Sequence, residues 1–249
     1  MVYYNVNDDL EFILTERTTI SYGTHNHVSK YVAGIVLDGE IILTESGKQR
    51  ACKKDMVFVI PTYCAHSLEI VNDDTRLLTM CIRDSFMRHF SEEEGLAQIQ
   101  GYLDKLIATA VLNEGQAVSM RNAFITMTEC CKRQQSNPTD YIEKVCAIIL
   151  DSVEENVKLE ELSGQVHVSK FYLVHQFKSR IGLTPHFFQI QNRIRRAQRM
   201  LREGVSAAEV AAEMKFCDQS HFIKNFKQIV GVTPKEYVNS VAKLEEIEL

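Results

Sequence analysis

LEELSGQVHVSKFYLVHQFKSRIG, residues 159–182, and SAAEVAAEMKFCDQSHFIKNFKQIVG, residues 206–231, are two copies of one pattern. In the first, Phe171 is followed six residues on by Phe177-Lys178; in the second, Phe222 is followed four residues on by Phe226-Lys227. Both copies close alike, on Ile181-Gly182-Leu183-Thr184-Pro185 and on Val230-Gly231-Val232-Thr233-Pro234. Leu159, Leu162 and Val166 open the first copy at helical spacing, as Val210, Ala211 and Met214 do the second. Ser169, Ser206 and Asp218 stand where a helix start needs a side-chain acceptor for an orphan N–H. Gly182 stops a helix, and Pro185 suits the first turn of the next. The pattern predicts two helix-turn-helix units.

Between them, Pro185 to Arg202 predicts a long helix with Ile190, Ile194, Ala197 and Leu201 on one face. Arg193, Arg195, Arg196, Arg199 and Arg202 occupy its other faces, facing phosphate or solvent. On the second helix of each unit, Leu173 with Phe177, and Phe222 with Phe226, point inward at i, i+4. That leaves Lys170, Phe171, Val174, His175 and Lys178 outward on one, and Gln219, Ser220, His221 and Lys224 outward on the other.

The net charge of the 249-residue chain, −5, conceals a division. From His167 to Lys235 twelve Lys/Arg stand against four acids, a local +8, which leaves −13 elsewhere. A positive segment on an acidic chain is the electrostatic footprint of a phosphate-binding half joined to one that does not touch nucleic acid. A rigid helix could hold two reading helices at successive major grooves, about 34 Å apart. There Gln bonds adenine, Lys reaches guanine O6/N7, and an apolar Val174 meets thymine methyls. The plainer reading of each side chain is a phosphate contact, because phosphate and sugar take half to two-thirds of such hydrogen bonds.

Residues 140–240 resemble the DNA-binding domain of the AraC/XylS family of bacterial transcription regulators. The resemblance rests on Ala197-x-x-x-Leu201, Val210-Ala211, Phe216-x-x-x-x-x-Phe222-x-x-x-Phe226-Lys227 and Gly231-Val232-Thr233-Pro234-x-x-Tyr237, in order and spacing. Lys215 departs from the Gly usual before Phe216, and Val238 from the Arg common after Tyr237. The resemblance implies base contacts from Phe171, Val174 and His175 on one helix and from Gln219, Ser220, His221 and Lys224 on the other. The DNA-binding set expected here is these seven with Ser169, Lys170 and Lys178.

The first 82 or so residues are strand-like: Val32–Leu37, Glu40–Thr44, Met56–Ile60 and Arg76–Ile82 are short and rich in β-branched residues. Asp38-Gly39 signals a hairpin between Tyr31–Leu37 and Glu40–Glu45, and Ser46-Gly47 marks the next turn. His25 and His27 share one side of an extended strand, and His66 follows Pro61 on another. This layout resembles the cupin barrel. It departs where a neighbour of Val32, or Val32 itself, replaces the metal-binding Glu, and where Asp55 replaces a motif Gly. His25, His27 and His66, with Cys64 nearby, form a candidate site for Zn²⁺, Fe²⁺ or Ni²⁺. The other reading makes them the rim of an organic-effector pocket.

From Ser85 the period turns helical, with Leu96, Ile99, Leu103, Leu106, Ile107 and Ala110 on one stripe. Met120, Phe124, Met127 and Cys131 form a second stripe; such a helical pair packs on the sheet or on its twin in another subunit, a dimer being favoured, and Cys130 and Cys131 are read as structural thiols. Lys132 to Asp140 is a polar linker.

The expectation is an α+β chain with a cupin-like antiparallel β-barrel sensor at 1–84, a helical dimerisation region and linker at 85–135, and an all-α reader at 140–240. Its function is that of a DNA-binding transcription regulator, an activator touching RNA polymerase, responsive to a small molecule and paired as a homodimer. A metal-sensing regulator and a cupin metalloenzyme are the alternatives. No run of about 18 apolar residues exists. The start, MVYYNVNDDLEF, lacks a signal core, so the expected place is the cytoplasm.

Overall fold

The computed structural model describes residues 2–6, 10–45, 47–89, 92–134 and 141–245. Among the described residues nine strands come first: β1 (Val2–Val6), β2 (Leu10–Glu16), β3 (Tyr22–His25), β4 (Lys30–Asp38), β5 (Glu40–Glu45), β6 (Lys48–Lys53), β7 (Val57–Ile60), β8 (His66–Ile70) and β9 (Arg76–Arg83). Helices α1 (Asp84–His89), α2 (Glu92–Ala108) and α3 (Glu114–Gln134) follow. The rest is helical: α4 (Tyr141–Asp151), α5 (Leu159–Gln165), α6 (Lys170–Ile181), α7 (Pro185–Arg202), α8 (Ala207–Glu213), α9 (Gln219–Val230) and α10 (Pro234–Glu245). Contacts gather the chain into two units. One comprises Met1–Ser21, His27–Ser136 and Asn239–Leu249; the other comprises Tyr22–Asn26 and Asn137–Val238.

In the first unit one sheet runs β1-β2-β9-β4-β7, and a second contains β8-β5-β6 in that order. These strands pair antiparallel. Strand β4, KYVAGIVLD, is apolar without alternation because both of its faces are covered. Tyr31, Ala33, Ile35 and Leu37 join Leu78, Met80 and Ile82 of β9 in a core with α2 and α3. Val32 and Val36, on the opposite face, are buried as well. Gly34 is on that face because the Phe58 ring occupies the space a Cβ would need.

The expected hairpin at Asp38-Gly39 is a change of sheet instead. β4 pairs with β9 and β7, whereas β5 pairs with β6 and β8. The β4–β9 register shifts between Val36 and Asp38, which bends the strand out of its sheet before the turn. Gly39 holds φ +77° with Thr75 packed where a side chain would stand. The hairpin at Gly47 does form, with Glu45 opposite Lys48 and φ +79° at the glycine. Ser46 lies outside the described residues.

Of the two placements expected for the helical stripes, on the sheet or on a second copy, the structure shows the first. Ile99, Leu103, Leu106, Met120, Phe124, Met127 and Cys131 are buried in the core against β4 and β9. Burial of this much apolar surface within one chain, at roughly 25 cal/mol per Å², leaves those stripes no need of a second copy. Buried Cys131 bonds the phenol of Tyr31, and burial followed by that thiol pushes the phenol above its ordinary pKa. Lys132 to Asp140, read as a linker, lies outside the described residues from residue 135 onward.

Candidate nucleic-acid interface

Both reading helices are built by the same local chemistry. Ser169 caps α6, its hydroxyl accepting from the Tyr172 N–H at 3.2 Å, and Asp218 caps α9, accepting from the His221 N–H at 2.7 Å. Gly182 and Gly231 end them in the left-handed conformation, φ +77° and +88°. Ser206 and Glu209 form a capping box on α8, and Thr184 caps α7 ahead of Pro185. Leu173, Phe177, Phe222 and Phe226 are fully buried, which fixes the rotation of each helix about its axis. Phe177 packs edge-on against Phe188 of α7, and Phe226 against Tyr237 of α10.

That rotation leaves a definite outward set. On α6, Lys170, Phe171, His175 and Lys178 are exposed and Val174 is half-buried; Ser169 just before it is exposed too. Phe171 is 84% exposed, an unusual position for a phenylalanine unless something covers it. On α9, Gln219, Ser220 and Lys224 are exposed. Lys170 also reaches Glu160, Nζ to Oε1 2.7 Å, which holds that carboxyl below its ordinary pKa.

His221 departs from the expected outward set. Its ring is half-buried, edge-on to Phe216 at 5.5 Å, and its Nδ1 is buried without a hydrogen-bond partner among the described residues. The capping bond to Asp218 and the packing of Phe216 draw it to the protein side.

The basic residues of α7 also differ from expectation. Arg193 is only 4% exposed. Its guanidinium donates to the carbonyls of Val153 and Glu155 and to Asn156 Oδ1, at 3.0, 2.7 and 2.6 Å. It thereby satisfies carbonyls just past the end of α4, and burial works against its charge. Arg202 donates to the Tyr237 hydroxyl at 2.8 Å, Arg195 bonds Gln198, and Arg196 pairs with Glu154. Only Arg196, Arg199 and Arg202 among these five are exposed. Sequence reading missed this because a long Arg stem satisfies helical periodicity on a buried face as readily as an exposed one. It also missed Tyr172, 48% exposed beside Phe171 and stacked on Tyr141.

Of the three histidines singled out, His25 falls in the unit of Tyr22–Asn26, and His27 and His66 fall in the first unit. The His27 and His66 rings stack at 5.3 Å. Nδ1 of His66 lies 3.0 Å from the Cys64 carbonyl, and Nδ1 of His25 lies 2.7 Å from the Gly23 carbonyl. A carbonyl only accepts, so a neutral ring in either place carries its proton on Nδ1 and presents the Nε2 lone pair. Cys64 meets His66 through its backbone. One buried ion pair of the five-stranded sheet was not foreseen: Glu11, 5% exposed, and Lys30 pair at 2.6 Å.

A family model described as a helix-turn-helix domain matches residues 162–240. The chain carries a helix-turn-helix domain. The domain model spans α6 to α9 with both capped reading helices. The transcriptional regulator YbfI of Bacillus subtilis is 32% identical over 120 residues, 45% of this chain and 44% of its own length. The chain thus spans less than half of that relative. YobQ of the same organism is 22% identical over 237 residues, 94% of this chain and 97% of its own length. Among solved structures, ToxT of Vibrio cholerae bound to an unsaturated fatty acid superposes with a TM-score of 0.61 at 14% identity, over 96% of this chain and 98% of its own. The likeness to ToxT is one of fold. Among the described residues no helix is long and apolar enough to cross a membrane.

Proposed function

We propose that this chain is a sequence-specific, DNA-binding transcription activator whose N-terminal half binds a small-molecule effector. The observation that carries the reading is the pair of capped helices whose buried phenylalanines turn Phe171, His175, Gln219, Ser220 and Lys224 outward. Two short helices with side chains of this type are suited to adjacent major grooves. The reading is of a regulator and not an enzyme, working in the cytoplasm with RNA polymerase. Pairing as a homodimer is part of the proposal, since two copies would double the half-sites engaged. It draws nothing from the α2 and α3 stripes.

The test selects duplexes from a random pool with the full chain, then compares Lys224→Ala on the selected duplex and on random DNA. A base contact is worth about 1–3 kcal/mol, roughly 5- to 150-fold, on the selected duplex, with little change on random DNA. Equal losses on both make Lys224 a phosphate contact. A pool that yields no enriched sequence overturns the reading.

The second reading is divalent-metal sensing. The stacked rings of His27 and His66, with the Nδ1 of His66 held by a carbonyl, favour it. His25, His27 and His66 would be the ligands, and the same three line the effector site under the first reading.

A further inference from the structure

Five residues of the N-terminal half belong to the helical unit. Tyr22–Asn26 lies in sequence between β2 and β4, yet its contacts group it with Asn137–Val238. Asn26 is wholly buried there. Its N–H donates to Gln191 Oε1 at 2.9 Å, and its Oδ1 accepts from Gln191 Nε2 at 2.8 Å. Its Nδ2 donates to the carbonyl of Ile181 at 3.1 Å. Ile181 is the last residue of α6, and Gln191 lies in the second turn of α7. Three residues upstream, Gly23 abuts α9: a Cβ there would stand 3.3 Å from the Gln228 carbonyl. The segment therefore runs from the end of one reading helix to the end of the other.

Helix α7 already joins the two helix-turn-helix units. One link between rigid bodies leaves rotation about that link; a second link at a different place removes it. Buried polar groups that satisfy one another in full hold one geometry, because any other leaves donors and acceptors unpaired.

We propose that residues 22–26 brace the two reading helices against each other, with Asn26 and Gln191 as positioning residues for DNA recognition. The proposal rests on the reading of α6 and α9 as groove-binding helices. It makes tolerance of the spacing between the two half-contacts a property set from the N-terminal half. An effector that moves the chain on either side of Asn26 then acts on the reader through five residues of covalent continuity.

The experiment uses the full chain and a duplex selected by it from a random pool, beside the same duplex with one base pair inserted between the two half-contacts. The insertion turns the second groove by about 35°. In the parent it is expected to weaken binding about 100-fold. In Asn26→Ala the same insertion is expected to weaken binding no more than about tenfold, because an unbraced reader can swivel. Gln191→Glu serves if Asn26→Ala does not fold: it keeps size and one acceptor and sets a carboxylate against Asn26 Oδ1. A folded variant with the parent's spacing penalty overturns the brace, even if it binds both duplexes more weakly. A parent that enriches no sequence counts against the DNA-reading function. Hydrogen exchange then decides the brace alone: faster exchange at the C-terminal turns of both α6 and α9 in Asn26→Ala supports it, and unchanged exchange overturns it.

Discussion

His167 and Lys215 hold the same left-handed position, φ +55° and +53°, one residue past the C-cap of α5 and of α8. In both turns the following N–H, of Val168 and of Phe216, reaches back to the carbonyl of Ser163 and of Ala211. This is the Schellman arrangement, where glycine is favoured and other residues strain. His167→Gly is expected to stabilise the helical unit by up to about 1 kcal/mol. Lys215→Gly should gain less, since it also removes the exposed pair of Lys215 with Glu155 at 2.7 Å. Urea melts of the two variants check this, and the idea fails if both lose stability.

Arg193 and Arg196 make the opposite comparison. Arg193→Ala removes the donors for two carbonyls and one side-chain oxygen in a buried place, at an expected cost of about 3 kcal/mol. Arg196→Ala breaks an exposed pair with Glu154 and should cost less than about 1 kcal/mol. Chemical denaturation of both measures the difference. Similar losses would show that Arg193 is not the structural member.

Acid should loosen the start of α10 in a defined way. The Thr233 N–H, and then its hydroxyl, hold the Glu236 carboxyl below its ordinary value of 4.5. A depressed value means that the carboxylate adds stability above about pH 4.5, and that this is lost as pH falls through the folded value. Glu236→Gln lacks that component. Between about pH 6 and pH 3 its melting temperature should fall less than the parent's. An equal fall in both would place the acid sensitivity elsewhere.

For the metal reading, protein purified without a tag or chelator should hold about one equivalent of Zn, Fe, Ni or Co. A His25→Ala/His27→Ala variant should hold little. Elemental analysis decides this, and a parent that takes up no metal on titration removes the metal reading while leaving an organic effector in place.

What could be read from the sequence follows how local each feature is. Ser169, Asp218, Gly182 and Gly231 act within four residues of themselves, so their cap roles were visible in the string. The buried phenylalanines were visible because helical period and capping agree. Asp38-Gly39 misled because a turn residue reports its own φ and not which strands the turn joins. Arg193 misled and Asn26 drew no reading for a related reason: their partners lie 37–40 and 155–165 residues away. Asp55 and Lys215, noted as replacements for glycine, both keep the left-handed backbone that glycine would have taken, φ +65° and +53°. There the backbone requirement was legible even though the residue was unexpected.

The segment at 22–26 has a consequence for anyone exchanging parts between regulators. A chimera joined between residues 135 and 140 transfers α4 to α10 but leaves five residues of their own contact unit in the donor gene. The graft would then present Gln191 and the Ile181 carbonyl to whatever the recipient supplies at that place. A functional swap needs two pieces of the donor, one short and early, one long and late, transplanted together.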